Sequence, residues 1–241
     1  MAKNKLKLAD VWDYEDPRHV PAYSVSEVAH YLCMPKTTVR AWVAGTKYTS
    51  RTGTQRKFRQ VLELPKPEVA LLSFFNLVEV HALRSLRVIH NIDLPKIRQA
   101  LDFVKERFGW DRPLIHQGFM TDGVSLFVEH LGKIIDVAAQ GQIVIREVMS
   151  HLQRIEWESS IAARLYPFTR LNIENAPMSV FIDPRYSFGR PILKESRIAT
   201  AVIAGRYKAG DSMDDLALDY GCSRLEIEEA VRCELPIKAA A

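Results

Sequence analysis

The sequence predicts a mainly α-helical chain with small β-hairpins. It reads as a winged helix-turn-helix at the N-terminus, a central helical and β-hairpin region, and a small helical, helix-turn-helix-like domain at the C-terminus. Three observations lead there. Apolar residues recur at helical spacing over long stretches, as in ALLSFFNLVEVHALRSLRVIH at 70–90. Two pairs of short amphipathic runs, at 24–44 and 212–231, are each joined by a tight turn. Charge is segregated: residues 36–59 hold seven basic side chains and no acid, whereas residues 211–234 hold eight acids and two bases.

Length and composition set the outer bounds. The 241 residues, 47% hydrophobic and 26% charged, suit one large globular domain or two to three small ones. No run of 18 apolar residues exists to cross a membrane as a helix. The opening MAKNKLKLADVWDYEDP has no apolar core and so does not read as a signal peptide. Cys33, Cys222 and Cys233 are scattered, with neither a disulfide framework nor a C-x-x-C spacing. A cytoplasmic location is expected.

In order along the chain, residues 1–22 form a polar, proline-punctuated arm. The winged helix-turn-helix occupies 23–67. Ser24-x-x-Glu27 is a capping box, followed by an apolar stripe of Val25, Val28, Ala29 and Leu32. After a turn at Cys33–Met34, Pro35 suits the first position of a second helix. That helix buries Val39, Trp42 and Val43 on one side and turns Lys36, Thr37, Arg40 and Ala44 outwards. Residues 46–64 then read as a hairpin with its tip at SRTGTQ, where Gly53 supplies a positive φ. These features make Lys36, Thr37, Thr38, Arg40, Lys47, Arg51, Arg56, Lys57 and Arg59 the candidate DNA-binding residues. Lys and Arg engage phosphates, and Arg can take a guanine edge bidentately.

The central region spans 68–173. A helical pattern runs from Glu68, with Leu72, Phe75, Leu77, Val80, Leu83 and Leu86 forming either a dimer element or part of the core. Asp93 is placed to cap the next helix. Over 114–138 the pattern drifts towards alternation, and Asp122-Gly123 predicts a hairpin turn. Residues 142–157 read as a helix ending at Trp157, and SIAARLYPF as an edge strand. After the linker ENAPM, the C-terminal domain covers 178–241. Within it, Ser212/Asp215 and Ser223/Glu226 have capping-box spacing and Gly221 ends the first helix of the pair.

Enzyme chemistry finds no footing. The seven histidines (19, 30, 81, 90, 116, 130 and 151) are dispersed, without an H-E-x-x-H. Gly189–Ser196 lacks the second glycine of a phosphate loop, and Pro191 removes a backbone N–H that such a loop would use. The carboxylates of 211–234 read as helix caps and a solvated face. No catalytic residue, metal site or cofactor is expected.

Two stretches resemble known families. YSVSEVAHYLCMPKTTVRAWV is similar to the winged-helix modules of MerR-like regulators. Residues 180–232 resemble the domain-of-unknown-function 433 family through Ile182-Asp183-Pro184, Gly189 with Pro191, Arg197-Ile198 and Gly210-Asp211-Ser212. The chain departs from that family at Glu195-Ser196, where Gly-Thr is usual. The combination resembles VapB-type antitoxins, which implies a protein that neutralises a PIN-domain ribonuclease toxin and represses its own operon by binding double-stranded operator DNA. It also implies a homodimer or a higher hetero-oligomer with the toxin. On that reading Arg190, Arg197 and Arg232, together with the acidic Asp214, Asp215 and Glu228, are candidate toxin contacts. The alternative is a stand-alone, MerR-like regulator whose middle region, 68–160, senses a small molecule.

Overall fold

The computed structural model describes residues 16–49, 55–58, 60–84, 94–134, 141–170 and 176–235. It is mainly helical, and among the described residues its strands form three two-stranded antiparallel ladders. Helix α1 (Val25–Tyr31) starts on a complete capping box: the Glu27 amide donates to the Ser24 hydroxyl, and the Ser24 amide donates to the Glu27 carboxylate. Cys33 turns the chain at φ 50°, and Pro35 precedes α2 (Lys36–Ala44) as its N-cap, one position earlier than expected. Strands β1 (Thr46–Thr49) and β2 (Gln55–Phe58) pair in register from Thr46/Phe58 to Thr49/Gln55. The expected tip, with Gly53, lies outside the described residues. Tyr23 and Leu72 exchange backbone hydrogen bonds of 2.9 and 2.8 Å, closing this N-terminal unit on itself.

The helix expected from Glu68 begins only at Phe74, because residues 66–70 spend themselves in turns that end with Ala70 at φ 54°. All eleven residues of α3 (Phe74–Arg84) are buried, including Asn76, Glu79, His81 and Arg84. Asn76 and Glu79 find partners, whereas Nδ1 of His81 and Nη1 of Arg84 have no hydrogen-bond partner among the described residues. Arg112 grips Glu79 bidentately at 2.8 and 2.6 Å, and Asn76 bridges Glu79 to the Glu63 carbonyl. Phe75, Leu77, Val80 and Leu83 are therefore core residues. Leu86, His90 and the proposed cap Asp93 lie outside the described residues.

Two expectations for the middle of the chain are corrected. The hairpin at Asp122-Gly123 does not form. A 3-10 turn (Pro113–Ile115) and a π-turn (Phe119–Gly123) lead into α5 (Val124–Ile134), which follows α4 (Leu94–Phe108). Buried Phe119, Val124, Phe127 and Val128 keep helical rather than alternating spacing. Gly123 answers to close packing, since a Cβ there would sit 2.8 Å from the Phe119 ring. The helix expected over 142–157 stops as α6 (Gly141–Leu152), and Ile155–Glu158 instead form β3, paired with β4 (Ile161–Leu165). The turn between them rests on Ser159 and Ser160, both at positive φ, where neither glycine nor asparagine announces it.

Arg154 ties this hairpin to the chain beyond it. Its guanidinium donates to the carbonyls of Tyr166, Pro167, Ala176 and Pro177 at 2.7–3.0 Å, and burial draws its pKa down to about 10. The chain then forms β5 (Val180–Phe181), β6 (Ile192–Leu193) and the helices α7 (Thr200–Ala209), α8 (Met213–Tyr220) and α9 (Arg224–Glu234). One large apolar cluster runs from Tyr23 through the central helices to Ile182, and a smaller one packs Val180, Leu193, Ile203, Leu216, Ile227 and Ala230.

Candidate nucleic-acid interface and C-terminal surfaces

Helix α2 presents the two faces its sequence predicts. Val39 and Trp42 are buried, while Lys36, Thr37, Arg40 and Ala44 are exposed and Thr38 is half-buried. The Trp42 carbonyl accepts the Val61 and Leu62 amides at 2.8 and 3.1 Å, fixing the chain that returns from the hairpin beside α2. Lys47 stands opposite Lys57, and Tyr48 opposite Arg56, in the β1–β2 ladder. Arg51 and Arg59 lie outside the described residues, as do the side chains of Lys47, Arg56 and Lys57. Lys36, Thr37 and Arg40 thus share one exposed helix face, and the β1–β2 ribbon follows it in the chain.

The C-terminal helix pair is differently occupied. Ser223 and Glu226 form a full capping box, whereas at Ser212 the hydroxyl caps the Asp215 amide and itself donates to the Asp215 carboxylate. The remaining acids of 211–234 are also engaged. Arg206 holds Asp211 and Asp219, Arg224 holds Asp214 and Glu228, and Arg232 holds Glu228 and Glu229. Glu234 accepts the Thr200 hydroxyl at 2.5 Å. Buried Glu229 also takes Arg170 at 2.5 Å and the Thr169 hydroxyl. Burial alone would raise the Glu229 pKa, but Arg170, Thr169 and Arg232 outweigh it and hold the carboxyl below its usual value. Of the proposed toxin contacts, Arg232, Asp214, Asp215 and Glu228 thus all have partners within the chain.

Arg190 and Arg197 sit on a separate feature, Arg190 in the turn between β5 and β6 and Arg197 in the connection from β6 to α7. Asp183, almost fully buried, accepts the Arg185 amide at 3.0 Å and grips its guanidinium at 3.0 and 2.9 Å. Arg190 reaches across to Glu27, so the capping box of α1 and this turn share one carboxylate. Burial works to raise the Glu27 pKa, yet Ser24 and Arg190 keep it lowered. Arg197, at φ 61°, stacks over the Phe181 and Tyr186 rings. The departure at Glu195 therefore creates no left-handed strain, because the left-handed position falls on Arg197. Asp183, Arg185, Arg206, Thr169 and Arg170 escaped sequence reasoning. Their partners are distant in the chain, or the motif marked them without saying what they hold.

Residues 180–232 match the family described as "Protein of unknown function (DUF433)". Over nearly its whole length the chain resembles a VapB-type antitoxin. It is 26% identical over 228 residues to "Putative antitoxin VapB45" of Mycobacterium tuberculosis, covering 88% of this chain and 93% of that one. It is also 23% identical over 219 residues to "Uncharacterized protein Rv2308" of the same organism, covering 87% and 88%. The fold matches the crystal structure of Rv2018 from Mycobacterium tuberculosis with a TM-score of 0.62 at 22% identity, over 88% of this chain and 98% of that one.

Proposed function

We propose that this chain is the antitoxin of a bacterial toxin–antitoxin pair, which binds and neutralises a PIN-domain ribonuclease and represses its own operon. The observation that carries the reading is the likeness to a protein named as an antitoxin, which runs through the winged helix-turn-helix as well as the DUF433 segment. The exposed Lys36, Thr37 and Arg40 of α2 support the operator-binding half. Such repressors act as dimers on half-sites about one helical turn apart.

Coexpression with the neighbouring reading frame is the test. A nuclease of about 15 kDa, a typical single domain, copurifies if the reading holds. A chain that elutes alone, beside a neighbour harmless to cells, overturns it. Arg40→Ala combined with Lys57→Ala abolishes promoter shifts and leaves nuclease binding intact; equal loss of both activities argues against separate sites. The alternative, a ligand-responsive regulator, draws on a cavity of about 350 Å³ bordered by Leu62, Glu63, Leu101, Lys105 and Arg112. It gains if a small-molecule extract changes operator affinity while the neighbouring protein does not bind.

A further inference from the structure

We propose that the turn at residues 185–189 is a preformed protein-docking knob, with Phe188 as its anchor, for a partner offering an apolar pocket edged by carboxylates. The inference rests on the antitoxin reading and assigns the surface that meets the nuclease.

Phe188 is 94% exposed, the most exposed large hydrophobic side chain among the described residues, and neighbouring Tyr186 is 41% exposed. Chance does not aim this ring outwards. Ser187, Phe188 and Gly189 are successively left-handed at φ 47°, 53° and 74°, a conformation that side-chain-bearing residues adopt only when their surroundings enforce it. The enforcement is visible. Asp183 fastens the entry to the turn through Arg185 and its amide. The Tyr23 hydroxyl donates to the Gly189 carbonyl at 2.9 Å beneath the turn. The Gly189 and Arg190 amides close it onto Tyr186 and Ser187 at 2.9 Å. A backbone fixed before the partner arrives leaves only the side-chain rotation of Phe188 to be lost on binding, and such preorganisation is how aromatic anchors concentrate affinity.

Charge decides which partner fits. A nucleic-acid strand also stacks on aromatic rings, but it needs cations for its phosphates. Here Arg185 is committed to Asp183 and Glu158, Arg164 to Asp183 and Glu156, and Arg190 to Glu27. Arg197 instead lies against Tyr186, 5.2 Å from the ring centre, and is exposed. One such exposed guanidinium against Tyr186, two residues before the protruding Phe188, suits a carboxylate at the lip of a protein pocket.

The test uses full-length protein and the copurified nuclease, with affinity read by titration calorimetry and single-stranded RNA binding read in parallel. Phe188→Asn tolerates the left-handed backbone but removes the ring; Phe188→Tyr keeps the ring. We expect Phe188→Asn to weaken nuclease binding on the order of 30-fold with unchanged thermal unfolding, the scale of an interface hot spot. Phe188→Tyr should stay within about threefold, since the apolar ring remains. Nuclease affinity unchanged by Phe188→Asn, or an effect confined to RNA binding, overturns the knob and leaves the antitoxin reading standing. A wild-type chain that forms no complex with the nuclease overturns both.

Discussion

At Gly189 two constraints meet that no other residue satisfies together. Its φ of 74° is left-handed, and a Cβ would lie 2.2 Å from the Tyr23 hydroxyl. Gly189→Ala is expected to destabilise the protein by about 1–3 kcal/mol, the range for backbone strain, with further loss from the displaced Tyr23. Pairing it with Tyr23→Phe in a thermal-melt cycle shows how much is steric, since the double variant lacks the obstructing oxygen. Glu229 makes a second residue-level prediction. Its lowered pKa means that its pairing with Arg170 and Arg232 stabilises the fold fully above the ordinary carboxylate value of 4.5. That stabilisation is lost as pH falls through the lowered value. Glu229→Gln should cost roughly 2–3 kcal/mol at pH 7, below the figure for fully buried pairs because both arginines are partly in water, and should flatten the acid limb of a urea-stability profile. Neither role was legible locally. Glu229 lies on a helix of carboxylates, and only the fold brings residues 169 and 170 to it.

Among the elements, what was legible is what local hydrogen bonding decides. The boxes at Ser24/Glu27 and Ser223/Glu226 formed as their spacing predicts, because both partners lie within one helical turn. Ser223→Ala should cost about 1 kcal/mol, measurable as a shift in denaturation midpoint without a change in slope. The two faces of α2 were legible from the helical spacing of Val39, Trp42 and Val43, which are all buried. The hairpins of the central region were not. Asp122-Gly123 has turn chemistry, yet burying Phe119 and Phe127 on one side outweighs it, whereas Ser159-Ser160 forms a turn its residues do not advertise. Tertiary burial settles such short segments, and a single sequence carries little of it.

For the whole molecule, the contrast between a basic and an acidic end survives, but its acidic half is muted. Arg206 and Arg170, from outside the acid-rich window, join Arg224 and Arg232 in holding its carboxylates. The basic half keeps Lys36 and Arg40 exposed. If four or five of the cations of 36–59 engage phosphates, operator affinity should fall with salt at a log–log slope of roughly −4 per protomer. Arg40→Ala should make that slope shallower by about 1 if it holds a phosphate, or relax preference at one base pair if it reads a base. The Tyr23 hydroxyl on the Gly189 carbonyl and Arg190 on Glu27 join residues more than 160 positions apart. Their consequence appears in the breathing of the native protein: the amides around Ser24 and those of the 183–190 turn should exchange with deuterium through one shared opening, so that the first helix and the far loop behave as a single foldon.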